Sequence, residues 1–171
     1  MLRLARLALD QVRRNNPRLP SACRELAQSA LLEAKWAIRQ GRVPAAAFTQ
    51  AEDLAGQAIR LNPEYADALL TRAQVCRHRA AWEWSRGRRP AGWIEKGLRD
   101  AGRTLEIDPE QHEAQAVRGA LLLLRARSEP DRVRANTALA AAIHELELAA
   151  SKGPLLDRSL ENQLPEARKL M

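Results

Sequence analysis

Residues 57–73 read QAIRLNPEYADALLTRA and residues 103–120 read RTLEIDPEQHEAQAVRGA. The two stretches align without a gap at a spacing of 46, which sets Asn62 on Asp108, Pro63 on Pro109, Ala68 on Ala114 and Ala73 on Gly119. In each, a Leu or Ile closes one apolar helical face, the residue before proline is pushed out of the helical region, and a new run with small residues at fixed offsets begins. Working outward, Pro17 stands the same distance upstream. One register also pairs Trp36 with Trp82, Gly41 with Gly87, Arg42 with Arg88, Pro44 with Pro90, Ala22 with Ala68 and Gln28 with Gln74. So many coincidences define an internal repeat, and units of this length stack because none can bury its apolar face alone.

Within the second copy, Ala66, Leu69, Leu70, Ala73, Cys76, Ala80 and Trp84 recur at spacings of three and four, which predicts a helix with one buried face. Gly87 then ends it and Pro90 opens a second helix running to Ile107, since glycine accepts the left-handed conformation and proline suits a first turn. The same pattern predicts helices over 20–40 and 44–61 in the first copy and over 110–127 and 131–151 in the third. Ser128 with Asp131 reads as a capping box, with Pro130 in the first turn. The third copy lacks the Trp, Gly and Pro marks, so its turn should differ in shape. Residues 155–170 read as a last, more polar helix that Pro165 kinks or shortens.

The expected architecture is one all-α domain over 1–171, a right-handed superhelix of stacked antiparallel helix pairs with about seven helices. It comprises a partial repeat at 1–16, repeats at 17–62, 63–108 and 109–153, and a capping helix at 154–171. Trp36 and Trp82 could be binding aromatics, but their recurrence at one repeat offset favours packing between repeats; Gly41 and Gly87 are expected to form turns, and Pro63 and Pro109 to mark the junctions. Leu2, Leu4, Leu7 and Leu9 would leave an apolar face at the first helix. Preceding repeats, or end-to-end pairing of two chains, would cover it.

Composition narrows the function. Aromatic residues make up only 4% of the chain, so small and aliphatic side chains must build the core, which favours closely packed helices. No apolar run is long enough to cross a bilayer, so no membrane partner is expected. Cys23 and Cys76 occupy different repeat offsets and form no CxxC motif; they read as buried thiols outside any disulfide, in the reducing cytoplasm. His78, His112 and His144 fall in separate helical segments without a metal-binding spacing, and no catalytic set or cofactor motif is legible. The chain is therefore expected to be no enzyme, with no metal and no cofactor.

The quoted junctions resemble those between consecutive tetratricopeptide repeats, where helix B ends at a Leu/Ile-Asn/Asp-Pro step and helix A follows with small residues at set offsets. The resemblance spans essentially the whole chain. These units are longer than the usual ~34 residues, with extra turns around EAKWAIRQGRVPAAAF (33–48) and RAAWEWSRGRRPAGWI (79–94). In this the chain looks like the repeat arrays that follow the catalytic domain of bacterial, myxobacterial-type serine/threonine protein kinases. The kinase motifs themselves, a Gly-rich loop, HRD and DFG, are absent from it.

The resemblance implies a scaffold that binds protein through a concave groove. Its positions carry over to Ser21, Arg24, Gln28, Leu31 and Leu32 in the first copy, and to Asp67, Leu70, Gln74, Arg77 and His78 in the second. In the third they are Glu113, Ala116, Ala120, Leu123 and Leu124. Such a groove suits a peptide with an acidic part and an apolar anchor; the competing reading is that these residues pack on neighbouring helices, the last one included. A net charge of +7, with Arg77, Arg79, Arg86, Arg88 and Arg89 clustered, keeps a second reading open in which the partner is nucleic acid or another anion. Against it, arginines at a helix end also complement the helix dipole. Trp93 has no repeat partner and reads equally as core or contact.

Overall fold

A computed structural model describes residues 11, 14, 16, 18–154 and 160–170. Seven helices lie among them: α1 (Pro20–Arg39), α2 (Ala45–Leu61), α3 (Ala66–Ser85), α4 (Ala91–Ile107), α5 (His112–Ser128), α6 (Arg132–Ser151) and α7 (Gln163–Arg168). The fold is all-α, made of repeated helix–turn–helix units as an α-solenoid is, and the three copies correspond to α1–α2, α3–α4 and α5–α6. Of the partial repeat expected over 1–16, only residues 11, 14 and 16 are described, and its leucines lie outside the described residues.

Two recurring local structures set this pattern. At Asn62 and Asp108 the backbone is extended, as proline demands of its predecessor. Each side chain then accepts a bond from the backbone N–H two residues on, Glu64 to Asn62 Oδ1 and Glu110 to Asp108 Oδ1, both at 3.1 Å. This turn starts the next helix in the same way in both copies. Within copies one and two, Gly41 and Gly87 adopt φ of 68° and 71°, a conformation that costs glycine nothing. The residue after each glycine donates back five positions, Arg42 N–H to Ala37 O at 2.8 Å and Arg88 N–H to Glu83 O at 3.0 Å. The glycine N–H groups bond Ile38 O and Trp84 O. Orphan carbonyls at both helix ends are thereby satisfied.

The third copy is built differently. Asp131 alone caps α6, accepting from Arg134 N–H at 2.8 Å, while the Ser128 hydroxyl donates to Leu124 O and Arg125 O of the preceding helix. The expected capping box does not form, because Ser128 is still the last residue of α5 and Pro130 lies outside α6. Residues 160–162 are turn and the last described helix begins at Gln163, with Pro165 in its first turn, where the missing N–H removes no helical bond; the expected start at 155 lies outside the described residues.

The chain divides into two compact units, Met1–Val75 and Cys76–Met171, with the division inside α3. In the first, α1 lies antiparallel on α2. Leu26 and Ala27 meet Leu54 and Ala55, and Cys23 joins Ala58 and Ala68, flanked by Ile59 and Tyr65. In the second, α5 packs between α4 and α6, and α7 lies against α5 and α6. Leu123, Leu139, Ala142, Leu146 and Ala167 form its cluster there.

Small residues permit these approaches. A Cβ at Gly119 would fall 2.7 Å from Leu146 Cγ, and one at Gly97 would fall 2.8 Å from Leu121 Cδ1 and 3.0 Å from Cys76 Cβ. Gly102, also helical, has open space around it. Gly119→Ala is therefore expected to destabilise the fold by about 1–3 kcal/mol through overpacking. Gly102→Ala should raise stability by up to about 1 kcal/mol through helix propensity. Urea titration of both variants by circular dichroism checks the contrast.

Candidate functional site

The turn between the two helices of a copy fixes an arginine relative to a tryptophan. In the first unit the Arg42 guanidinium stands over the Trp36 ring, 4.2 Å from its centroid; at the repeat-related place in the second unit, Arg88 stands over Trp82 at 5.4 Å. The shared glycine turn explains the shared pairing, because it folds the chain back by a fixed geometry just beyond the tryptophan's own turn of helix.

Their surroundings differ. Trp82 is 8% exposed, whereas Trp36 is 52% exposed, which corrects the expectation that both tryptophans pack between repeats. Leu32, one helical turn before Trp36 on the same stripe, is 47% exposed, and Val43 in the turn is 72% exposed. Gln28, one turn earlier again, is half-buried. The first unit thus presents a stripe of Gln28, Leu32 and Trp36 on α1, ending at Arg42 and Val43. A separate groove of about 610 Å³ opens in the same unit, with Leu26, Ala46 and Leu54 as its apolar part and Thr49, Gln50, Asp53, Gln57 and Arg60 as its polar part.

Of the groove positions implied by the family resemblance, only some reach the surface. Leu32 and Asp67 are exposed, and Ser21, Arg24, Gln28, Gln74 and His78 are half-buried. Leu31, Leu70, Arg77, Glu113, Ala116, Ala120, Leu123 and Leu124 are buried. Leu123 belongs to the cluster closed by Leu139, Leu146 and Ala167, so its position in the third copy is filled by α6 and α7. Leu31 turns inward because it sits about 100° around the helix from Leu32.

The five-arginine cluster also comes apart. Arg77 and Arg79 are two residues apart on a helix and so point to different sides. Arg77 is 6% exposed and bonds His78 Nε2 at 2.7 Å, and Arg79 lies over the half-buried Trp93 ring, 3.9 Å from its centroid. Arg88 pairs with Glu83 at 3.1 Å. Arg86 and Arg89 remain exposed.

Elsewhere in the second unit, ion pairs link neighbouring helices: Arg125 to Glu95, Arg118 to Glu145, Arg127 to Glu166 at 2.9 Å and Arg168 to Glu147 at 2.6 Å. The carboxylates and arginines of these pairs were not singled out by sequence, because their partners lie 21 to 39 positions away. Among the described residues no group of three His, Cys, Asp or Glu side chains is placed to hold a metal ion. His112 Nε2 lies 3.4 Å from Pro154 O, and His144 is exposed. Cys23 and Cys76 are buried thiols. No helix is long and apolar enough to cross a membrane, among the described residues.

No protein-family model matches the chain, and no curated protein matches it. Among solved structures it is similar to human IFIT1, determined as a dimer with PPP-AAAA, at 16% sequence identity and a TM-score of 0.49. The likeness covers 99% of this chain and 42% of that one, so the chain spans less than half the length of that neighbour.

Trp82→Ala is expected to cost about 3–5 kcal/mol, as for other buried aromatic truncations. Trp36→Ala should cost no more than about 1 kcal/mol, the worth of an exposed cation–π contact. Thermal melts of the two variants side by side measure the difference; equal losses would show that Trp36 is covered.

Proposed function

We propose that this chain is a non-catalytic protein-interaction module, holding a segment of a partner protein along the outer stripe of α1 and the α1–α2 turn. One observation carries the reading. The same repeat position holds a tryptophan twice; in one copy the ring is core, and in the other it lies open, one helical turn from the exposed Leu32, with an arginine across it. A water-exposed tryptophan grouped with arginine is the composition of binding hot spots, where a partner supplies the missing burial. A polyanion partner has less support, because Arg77 is buried, Arg79 covers Trp93 and Arg88 has Glu83.

The resemblance of the elongated repeats to those behind bacterial serine/threonine kinase domains supports a setting in a larger cytoplasmic signalling protein; a free-standing adaptor is the alternative. A reading frame carrying a Gly-rich loop, HRD and DFG upstream of this segment decides between them. For the binding role, a photo-crosslinking residue at position 36 should yield adducts with cell proteins that excess unlabelled chain suppresses. Trp36→Ala should weaken binding of those same proteins by tenfold or more at unchanged fold. Partners that bind Trp36→Ala as tightly as the parent chain would remove the role assigned to this surface.

A further inference from the structure

Between Ala34 and Ala51 the chain carries Lys35, Arg39 and Arg42 and no carboxylate. This stretch covers the end of α1, its glycine turn and the start of α2, whose first turn is also without an acidic residue. The repeat-related corner differs by one residue of consequence. Arg88 pairs with Glu83 at 3.1 Å, and the position that matches Glu83 in the first copy is Ala37. The two turns have the same backbone, so Arg42 is held over its tryptophan as Arg88 is, but without the carboxylate that neutralises Arg88.

Docking of any partner on Trp36 takes water away from Arg42, because the guanidinium lies against the same ring. An uncharged segment would leave that cation desolvated without a counter-charge, and a basic one would be repelled. Arginine's planar fork matches a carboxylate with two parallel bonds. The exposed Leu32, one helical turn from the ring, and the exposed Val43 of the turn fit an apolar side chain better than they fit a sugar–phosphate chain. Resting on the interaction role argued above, we infer that the partner segment at this corner is acidic: its carboxylates meet Arg42 and Arg39, and an adjacent large apolar side chain lies on Leu32 and Trp36.

Selection of a random dodecapeptide phage library on the immobilised chain, depleted on the Trp36→Ala variant, tests this. Selected peptides are then measured by fluorescence anisotropy against the parent chain, Trp36→Ala and the double variant Arg39→Gln/Arg42→Gln, each first shown by circular dichroism to melt as the parent does. The expected peptides combine Asp or Glu with a large apolar residue. Their affinity should fall at least tenfold in the double variant and lose most of its salt dependence there. Peptides that need Trp36 but are neutral or basic, and bind the double variant within twofold of the parent, would overturn the acidic assignment while leaving the docking role intact. Selection that yields no Trp36-dependent peptide would overturn both. Trp36-dependent binding of dodecathymidylate tighter than that of every selected peptide would assign the corner to nucleic acid and overturn the inference.

Discussion

Helices that must approach within a methyl group of one another constrain everything else in this chain. The position held by Ala27, Ala73 and Gly119 in successive copies is buried each time, and at Gly119 even a methyl would meet Leu146. With so few aromatic residues, the core depends on such contacts rather than on large side chains filling wide gaps. That is why alanine dominates the buried residues and why the exceptions, Phe48 and Trp82, occur singly. Close backbones also leave little room for polar groups, and where Arg118 and Glu145 reach the α5–α6 interface they pair with each other.

Local chemistry does the rest of the positioning. An extended residue before proline and a left-handed glycine alternate along the first two copies, and each makes the same hydrogen bonds where it recurs. Backbone geometry is therefore conserved between copies while side-chain surroundings drift. The substitution of Ala37 for Glu83, Val43 for Arg89 and Leu32 for His78 across the register turns one corner into a neutralised, packed element and the other into an open one. A repeat protein can specialise one unit in this way without disturbing the frame that holds it.

Most of the helical frame was legible because its signals are local. Periodicity placed α1 to α6 within a residue or two of their observed bounds, and the glycine turns fell at Gly41 and Gly87 as their chemistry requires. What depends on distant chain was not legible. The exposure of Trp36 cannot be read from a motif it shares with Trp82, since the difference lies in what other segments cover. Leu123 falls at a groove position that α6 and α7 close. The arginine cluster dissolved for a simpler reason: counting charges along a sequence ignores that neighbours on a helix face different ways, and Arg77 and Arg79 each had a separate packing role. Ser128 and Asp131 matched a capping pattern by type, yet α5 ran far enough to claim the serine.

The helix α3 belongs half to each compact unit, with Val75 on one side of the division and Cys76 on the other. Severing the chain there would open a continuous ladder of helical bonds and strand four amide donors on one fragment and four carbonyl acceptors on the other. Val75 and Cys76 are both fully buried, so the cut would also expose apolar surface. A cut at the Asn62-Pro63 or Asp108-Pro109 step would instead fall between helices and break no helical ladder. At the boundary between the two compact units, then, neither half would survive the division whole.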